Sequence, residues 1–351
     1  MERYIAIDNV CAWPNLTKMP DGGIIATIFN QPCHGDWEGD VECWASEDDG
    51  RLWKLRGTPA PHEPGTNRIN VAAGLAANGD LVVIASGFPH RPRQGEVKAG
   101  HGVDAYPLLP WVCRSSDGGR TWTRAETLAP PENKSVRVIP FGDIVQLKDG
   151  TLGACIYGWQ PPEEDNCCHF YCSADDGRTW AIRGVIQEGN INETTPLVLA
   201  NGDLLACART LGDQHLELFR SADHGRTWQR EQAVTSAMQH PAHLLPLADG
   251  RILLSYGRRG TPFFQGIGYR LSADGGRTWS EPRILLESHQ RTDMQQPLGL
   301  RNQGRNSDGG YPSSVQLGDG RIVTVWYSSG VPGVHERYHM GAAVWSLPEK
   351  H

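Results

Sequence analysis

One eight-residue motif occurs five times in the sequence, and this repetition limits the possible folds more than any other feature. Each copy has Ser first, Asp third, Gly fifth and Trp eighth. The copies lie at Ser46–Trp53, Ser115–Trp122, Ser173–Trp180, Ser221–Trp228 and Ser272–Trp279. They start at intervals of roughly 50 to 70 residues, which indicates one structural unit used repeatedly.

The motif, called the box motif below, predicts a turn between two strands. Its Asp can accept hydrogen bonds from the backbone N–H groups that follow it. Its Gly permits a backbone conformation that other residues resist. Its Trp can bury a large ring against a neighbouring unit. We therefore interpret the five motifs as scaffold and expect the chemistry elsewhere.

A second repeat predicts hairpins, because Asp-Gly or Asn-Gly interrupts alternating apolar sequence. It occurs at Asp21-Gly22, Asn78-Gly79, Asp149-Gly150, Asn201-Gly202, Asp249-Gly250 and Asp319-Gly320. A box follows the first five hairpins, and Met340–Leu347 reads as a closing strand. With no helical period of any length, the pattern predicts an all-β protein, a six-bladed β-propeller forming a single domain over residues 1–351.

Composition excludes several functional classes. The net charge of −7 argues against nucleic-acid binding, and apolar runs of strand length predict no membrane span. The first residues lack a signal peptide, so we expect a cytoplasmic protein, or a secreted one whose signal was removed. The nine cysteines lie mostly in apolar strands and suit a reducing compartment. Cys167-Cys168-His169 has no second ligand pair at zinc spacing, so we expect no metal and no cofactor.

Five arginines fall on the face opposite the hairpins and boxes, where the predicted loops are longest and where function tends to collect. They are Arg68, Arg137, Arg209, Arg258 and Arg259. A guanidinium group can grip a carboxylate or sulfate through paired N–H bonds, so an anionic small-molecule ligand is predicted. The alternative is that each arginine pairs with a neighbouring carboxylate. The long loop 88–110 is predicted on the same face. Its role there is left open between a lid, a wall that determines specificity and a dimer contact.

The box repeats resemble those of the sialidase superfamily, whose members carry them on a six-bladed propeller. The resemblance implies a Tyr nucleophile activated by a Glu, an Asp acid and three arginines around the substrate carboxylate. Asn192-Glu193-Thr-Thr-Pro is similar to the segment with the activating Glu, and Arg209 closes the following strand. Gly310-Tyr311-Pro-Ser-Ser is similar to the segment with the nucleophile, which places Tyr311 in that role. A neutral phenol suits an anomeric carbon that bears a carboxylate.

The remaining family positions are matched less completely. A further arginine of the triad corresponds to Arg258 or Arg259, and the acid corresponds to Asp36, with His34 beside it. The family begins with Arg-Ile-Pro, but this chain reads Ala12-Trp13-Pro14. Ala12 cannot supply the missing cation, so Arg68 or Arg137 would have to do so.

Three functions follow from these residues. The first is an exo-acting glycoside hydrolase that releases a terminal sialic acid or related acidic sugar from a glycoconjugate. The second is a polysaccharide lyase or rhamnosidase-type enzyme acting beside a uronic acid. His34 and the absence of an arginine at the position of Ala12 favour this second function. The third is a non-catalytic carbohydrate-binding propeller. Sugar, linkage and oligomeric state are left open.

Overall fold

The computed structural model describes residues 1–89, 107–126, 128, 137–159, 166–259, 264–288, 308–329, 335 and 337–348, without the side chains of residues 126, 137, 159 and 264. The described part contains 24 β-strands and a single short 3-10 helix, Leu211–Asp213. The prediction of an all-β protein is confirmed. Most of the predicted loop 88–110 and all of residues 289–307 lie outside the described residues. No helix in the described ranges is long and apolar enough to cross a membrane.

The strands follow one another as antiparallel meanders. The first half of the chain contributes β1 (Glu2–Asp8), β2 (Ala12–Lys18), β3 (Ile24–Phe29), β4 (Val41–Ser46), β5 (Lys54–Ala60), β6 (Asn70–Leu75), β7 (Leu81–Gly87), β8 (Leu108–Ser115), β9 (Thr123–Glu126), β10 (Arg137–Gln146), β11 (Leu152–Trp159), β12 (Asn166–Ser173) and β13 (Ala181–Gln187).

The second half continues the same pattern. It contributes β14 (Ile191–Val198), β15 (Leu204–Thr210), β16 (Leu216–Ser221), β17 (Gln229–Ala233), β18 (Gln239–Pro246), β19 (Ile252–Arg259), β20 (Phe264–Ser272), β21 (Arg283–Glu287), β22 (Gly309–Gln316), β23 (Ile322–Ser328) and β24 (His339–Trp345).

These strands form a propeller-like arrangement of meanders. Four separate sheets have four strands each, and an eight-stranded sheet joins two further meanders through parallel pairing of β6 with β10. The first strands of successive meanders contact one another in the order β2, β6, β10, β14, β18 and β22, and β22 contacts β2 again. The starts of these strands therefore surround one axis.

The closing strand differs from the prediction. The predicted strand Met340–Leu347 corresponds to β24, which is the third strand of its sheet and not the edge. The edge is β1, which pairs with β24 from Glu2↔Val344 to Asp8↔His339. This strand was not predicted, because Glu2–Asp8 carries neither a hairpin signal nor a box.

The boxes have the predicted structure. In the third copy, Oδ1 of Asp175 accepts from the backbone N–H groups of Arg178 at 3.1 Å and Thr179 at 2.8 Å. Gly177 has a φ of 80°. Each box joins the third and fourth strands of a meander. Trp122 packs on Cys43 and other residues of the preceding sheet, as expected of an anchor between units.

Candidate active site

Four strands around the axis change register close to where they begin. The shifts lie between Ala12 and Asn15, Asn192 and Thr194, Gln239 and Ala242, and Gly310 and Ser313. A bulge of this kind re-aims the side chains within it. The residues concerned are Trp13, Glu193, His240 and Tyr311.

Prolines mark three of these bulges and provide a further sequence signal for the site. Pro14, Pro241 and Pro312 each follow a residue of the site directly. Proline cannot donate a hydrogen bond to a sheet ladder, so inside a sheet it is confined to edges, strand starts and bulges. An X-Pro pair near the start of an inner strand also marks His240, and it could have identified Trp13, which was not predicted as a site residue.

Tyr311 and Glu193 meet at the centre of the site, although 118 residues separate them. The hydroxyl of Tyr311 donates a hydrogen bond to Oε1 of Glu193. Tyr311 has a φ of 53°, a left-handed conformation that is strained for an aromatic residue. The other oxygen of Glu193 accepts from Nη1 of Arg209 at 2.7 Å. The structure thus brings together the two residues that were expected to touch.

The pKa values of this pair are pushed apart. Burial raises the pKa of the Tyr311 hydroxyl well above its usual value, and the charge of Glu193 raises it further. Burial also acts to raise the pKa of Glu193, but the charge of Arg209 and the hydrogen bonds from Tyr311 and Arg209 outweigh it, so this pKa is lowered. At neutral pH the pair is a neutral phenol beside a carboxylate, an arrangement in which Glu193 can accept the phenolic proton.

Arg209 is held between two carboxylates. Besides Glu193, its Nε donates to Oδ1 of Asp213 at 2.8 Å. Nε2 of the buried His240 lies 3.3 Å from the same oxygen of Asp213. Asp213 was not predicted as a site residue; its only signal in the sequence is its position four residues after Arg209.

Arg259 also lies beside Tyr311, with its guanidinium 5.4 Å from the centroid of the phenol ring. Its Nε donates to the carbonyl of Gly309 at 2.9 Å, and its Nη2 donates to the hydroxyl of Tyr327 at 3.1 Å. Nη2 is also 3.7 Å from Oδ1 of Asp308. Two arginines therefore flank the candidate nucleophile.

The carboxylate of Asp308 is hydrogen-bonded to His34 and to two tyrosines. Nδ1 of His34 lies 2.9 Å from Oδ1 of Asp308. The hydroxyl of Tyr327 donates to the same carboxylate, and that of Tyr338 does so at 2.6 Å. Burial acts to raise the pKa of Asp308, but the charge and hydrogen bond of His34, together with Arg259 and Tyr327, hold it well below its usual value. The two tyrosines carry no spacing signal in the sequence.

His34 and Asp36 occupy different environments. His34 packs edge-on against Trp13, with ring centroids 4.7 Å apart, and lines the same cavity as Tyr311 and Glu193. The side chain of Asp36 is exposed, and this residue is not among the described residues that line the cavity. Of the two candidate acids, the structure brings His34 to the site.

The cavity beside Tyr311 has a volume of about 120 Å³. Aromatic rings and polar side chains of the inner strands both line it. Its aromatic residues are Trp13, Phe88, Phe141, Tyr157 and Tyr311. A sugar ring could stack on such a wall while its substituents reach polar groups.

Two of the other predicted arginines, Arg258 and Arg68, lie apart from the Tyr311–Glu193 pair. Arg258 precedes Arg259 on β19 and points to the opposite face, because successive side chains of a strand alternate. Arg68 is buried: it stacks on the ring of Trp111 at 3.7 Å and donates to the carbonyl of Leu109 at 3.0 Å. Arg137 begins β10, but its side chain lies outside the described part. Ala12 is fully buried and leaves no cation at its position.

The described residues contain no group of three or more His, Cys, Asp or Glu side chains that could hold a metal ion. Cys167 and His169 contact each other, with Sγ 3.7 Å from Nδ1.

Comparison with known proteins identifies the repeats. Residues 97–324 match the family model described as a BNR repeat-like domain. No curated protein sequence matches the chain. Among solved structures, a Dyadobacter fermentans protein of unknown function is similar, with a TM-score of 0.77 and 23% identity over 99% of this chain and 98% of that one.

Two sialidases have the same fold at lower identity. The Hadza microbial sialidase Hz136 matches 96% of this chain with a TM-score of 0.71 and 18% identity, but the match covers only 65% of that chain. The Trypanosoma rangeli sialidase in complex with the inhibitor DANA matches 97% of this chain and 55% of its own, with a TM-score of 0.64 and 13% identity. At these identities the likeness shows the fold alone.

Proposed function

Since the chain belongs to the family with a BNR repeat-like domain, we propose that it is an exo-acting glycoside hydrolase that releases a terminal sialic acid or a related acidic sugar. The observation that carries this proposal is the hydrogen bond from Tyr311 to Glu193 beside a cavity. A buried phenol needs a base before it can attack, and a carboxylate in contact with it meets that need.

The proposed reaction has two steps. Glu193 accepts the proton of Tyr311 while the phenolic oxygen forms a bond to the anomeric carbon. The bond from that carbon to the leaving oxygen breaks, and an acid in the 34–36 segment protonates the leaving group. Water then attacks the anomeric carbon and gives a proton to the residue of the 34–36 segment that acted as the acid. The bond to Tyr311 breaks, and Glu193 returns its proton to the phenolate oxygen. The configuration at the anomeric carbon is retained.

We assign the acid to His34 in preference to Asp36, because His34 lines the cavity and is bonded to Asp308. Replacing His34 with Gln would then reduce turnover of substrates with poor leaving groups far more than replacing Asp36 with Asn. The opposite ranking would return the role to Asp36.

Arg209 and Arg259 support an anionic substrate, because both lie against the Tyr311–Glu193 pair. Nη1 of Arg259 has no partner among the described residues, so it can donate to a carboxylate bound over Tyr311. Two arginines in place of three would give a weaker grip on the carboxylate.

We also propose that the propeller has six blades in one domain. This count treats the eight-stranded sheet as two blades, because strand pairing between its two described meanders is limited to three parallel residue pairs between β6 and β10. The contacts from β2 round to β22 and the pairing of β1 with β24 support closure of the ring.

The test is hydrolysis of a fluorogenic sialoside by the wild type and by Tyr311→Phe. We expect the variant to lose activity by a factor of at least about 10³. Tyr269→Phe is the matched control, because Tyr269 is a buried tyrosine that packs on Trp345, away from the cavity; its kcat should stay within about twofold of the wild type. A Tyr311→Phe enzyme that keeps more than about a tenth of the activity would exclude the proposed nucleophile.

A lyase is the second candidate, favoured by the contact of His34 with Asp308 close to Tyr311. A histidine oriented by a carboxylate can abstract a proton next to a uronic acid carboxylate. Incubation with uronate polymers separates the two functions, because elimination produces an unsaturated, ultraviolet-absorbing product whereas hydrolysis does not.

A further inference from the structure

A second cavity lies between the second meander, β6–β9, and the third, β10–β13, on the face that carries the hairpins and boxes. We call it the box-side cavity, and its lining includes Asp80, Arg114, Ser116, Thr123, Ala125 and Arg178. Its volume is about 480 Å³, within the range of small-molecule pockets, roughly 300–1,000 Å³. None of its described lining residues lines the cavity beside Tyr311, so it is a separate site.

Arg114 lines this cavity with part of its guanidinium unpaired. Its Nη2 donates to Oδ2 of Asp80, at the end of the Asn-Gly-Asp hairpin. Its Nη1 is buried and has no hydrogen-bond partner among the described residues. The side chain as a whole is 12% exposed. A buried cationic donor without an acceptor costs free energy, so an acceptor is expected beside Nη1.

The fourth meander, β14–β17, has an arginine at the same position with more of its donors paired. Arg220 directly precedes the Ser of its box, as Arg114 does. Nη1 of Arg220 lies 3.7 Å from Oδ2 of Asp203, which corresponds to Asp80 in the hairpin. Nε of Arg220 donates to Oε1 of Glu231 on the edge strand, and Nη2 donates to Oε2 at 3.2 Å. Two nitrogen atoms of this arginine therefore grip one carboxylate.

The second meander lacks this carboxylate. Glu231 is the third residue after the Trp of its box, and the corresponding residue after the second box is Ala125. The first and third boxes are followed at this position by Arg56 and Arg183, which are also long and charged. Because Ala125 lines the box-side cavity, the cavity corresponds to the space that the carboxylate of Glu231 fills in the fourth meander.

A contact with the next box also differs. In three meanders an arginine donates to the carbonyl of the fourth residue of the next box, from Arg56 to Gly118 at 3.4 Å, from Arg183 to His224 at 3.3 Å and from Arg220 to Gly275 at 2.7 Å. The corresponding carbonyl for Arg114 is that of Asp176. Arg114 does not donate to it, since its one hydrogen bond from the side chain to a described residue is to Asp80. The box-side cavity lies where this contact would be.

The charges around the cavity favour an anion. Arg178 adds a second cation to the lining; its Nη1 donates to the carbonyl of Asp175 at 2.8 Å and lies 3.8 Å from Oδ2 of Asp176. Asp80 is the one acidic residue in the described lining. A cationic ligand would be repelled by the guanidinium groups, whereas a carboxylate can accept from Nη1 of Arg114.

We propose that the box-side cavity binds a small molecule through a carboxylate group, which pairs with Arg114 as Glu231 pairs with Arg220. The site lies on the other face from Tyr311 and does not depend on the proposed hydrolase function. Ser116 and Thr123 contribute to the lining, and their hydroxyl groups can bond to the hydroxyls of an acidic sugar. The carboxylate can equally belong to a simple organic acid.

The test measures thermal unfolding of the full chain in sodium D-glucuronate, against sodium chloride at the same ionic strength. A ligand that binds the folded protein raises its unfolding midpoint. In Ala125→Glu the new carboxylate should pair with Arg114 and exclude the ligand, so we expect the affinity for glucuronate to fall by at least about tenfold. Any binding beside Tyr311 contributes equally to both proteins, so the difference between them reports the box-side cavity.

Ala125→Gln is the matched control, because glutamine has the size of glutamate without its charge. In the absence of ligand, Ala125→Glu should melt about 2 °C above Ala125→Gln, since only glutamate completes the ion pair with Arg114. If Ala125→Glu does not fold, Arg114→Lys provides a second comparison. It keeps the charge but loses the paired N–H groups, and it should weaken glucuronate binding by at least about threefold.

Sodium acetate, which presents the carboxylate alone, distinguishes the two kinds of ligand. A midpoint shift lost in Ala125→Glu that is larger for glucuronate than for acetate supports an acidic sugar, and equal losses support a simple organic acid. Equal glucuronate shifts in the wild type and Ala125→Glu would overturn the proposal, and so would equal melting temperatures of Ala125→Glu and Ala125→Gln. Either result would mean that water satisfies Nη1 of Arg114.

Discussion

The two faces of the propeller-like fold use aspartate in opposite ways. At the boxes, Asp175 bonds to groups two to four residues away, and the same pattern recurs at Asp48, Asp117, Asp223 and Asp274. At the other face, Asp308 bonds to His34, 274 residues away, and to Tyr327 and Tyr338, 19 and 30 residues away. The boxes complete their hydrogen bonds locally, whereas the site depends on the assembled fold.

The two faces also differ in which residues adopt a left-handed backbone conformation. The box turns have the left-handed conformation mainly at Gly, Asp and His, residues that tolerate it or occur in it more often. At the site, Trp13 and Tyr311 have φ values of 43° and 53°. Such strain persists only where the surroundings over-determine it. The boxes stabilise the scaffold, and the scaffold in turn holds the strained site.

The largest expected effect is on catalysis at the axis. Glu193→Gln keeps the shape of the side chain but removes the base, so we expect kcat on a fluorogenic sialoside to fall by about 10²–10⁴. The matched control is Glu217→Gln, because Glu217 is also buried and paired with an arginine, Arg230. An unchanged kcat in the control and a large loss in Glu193→Gln separate catalysis from stability, whereas similar kcat values in both variants would contradict the role of Glu193.

Asp308→Asn should have the largest effect on stability. The carboxylate is 8% exposed and pairs with His34, Arg259 and two tyrosines. Removing one partner leaves the cation of Arg259 buried and uncompensated, which we expect to lower the free energy of unfolding by about 3 kcal/mol. Urea denaturation measures this loss. A change below about 0.5 kcal/mol would show that solvent replaces the carboxylate.

A box aspartate should matter less. Asp175→Asn removes a charged acceptor of two backbone N–H groups and should cost about 1–2 kcal/mol in the same denaturation experiment, with kcat unchanged. Asp176→Asn is the control, because the one ion pair of Asp176 with a described residue is the distant one to Arg178 at 3.8 Å, and asparagine tolerates its φ of 56°. If Asp175→Asn lowered the free energy of unfolding as much as Asp308→Asn, the proposed difference between the two faces would be contradicted.

The smallest effect concerns pH. Burial acts to raise the pKa of Asp175, but hydrogen bonds from Thr179, Ser173 and Arg178 outweigh it and lower it to about 2. The unfolded value is about 3.9, so this group stabilises the fold above about pH 4 and the contribution is lost as the pH falls towards 2. Unfolding midpoints measured at about pH 5 and about pH 2.5 should therefore converge for the wild type and Asp175→Asn at the lower pH. A difference that is independent of pH would contradict this interpretation.

Local chemistry made much of the protein predictable. The hairpin glycines, such as Gly22 and Gly202 with φ of 92° and 97°, and the box aspartates bond within a few residues, so their structure can be read from short segments. The resemblance of the segments at Glu193 and Tyr311 to the family pattern also placed the two residues that meet. The edge strand β1 could not be read in this way, because its partner β24 lies at the other end of the chain.

The sequence by itself determined the all-β class, the repeated turns and the candidate Tyr and Glu, because each depends on residues close together in the chain. Only the tertiary structure decided which cations reach Tyr311. Arg258 and Arg259 are neighbours, yet the register of β19 turns only Arg259 to the site. Arg68, expected as a replacement for the cation lost at Ala12, stacks on Trp111 instead. Strand register, bulges and closure of the ring are long-range properties, and they determine which side chains converge on one cavity.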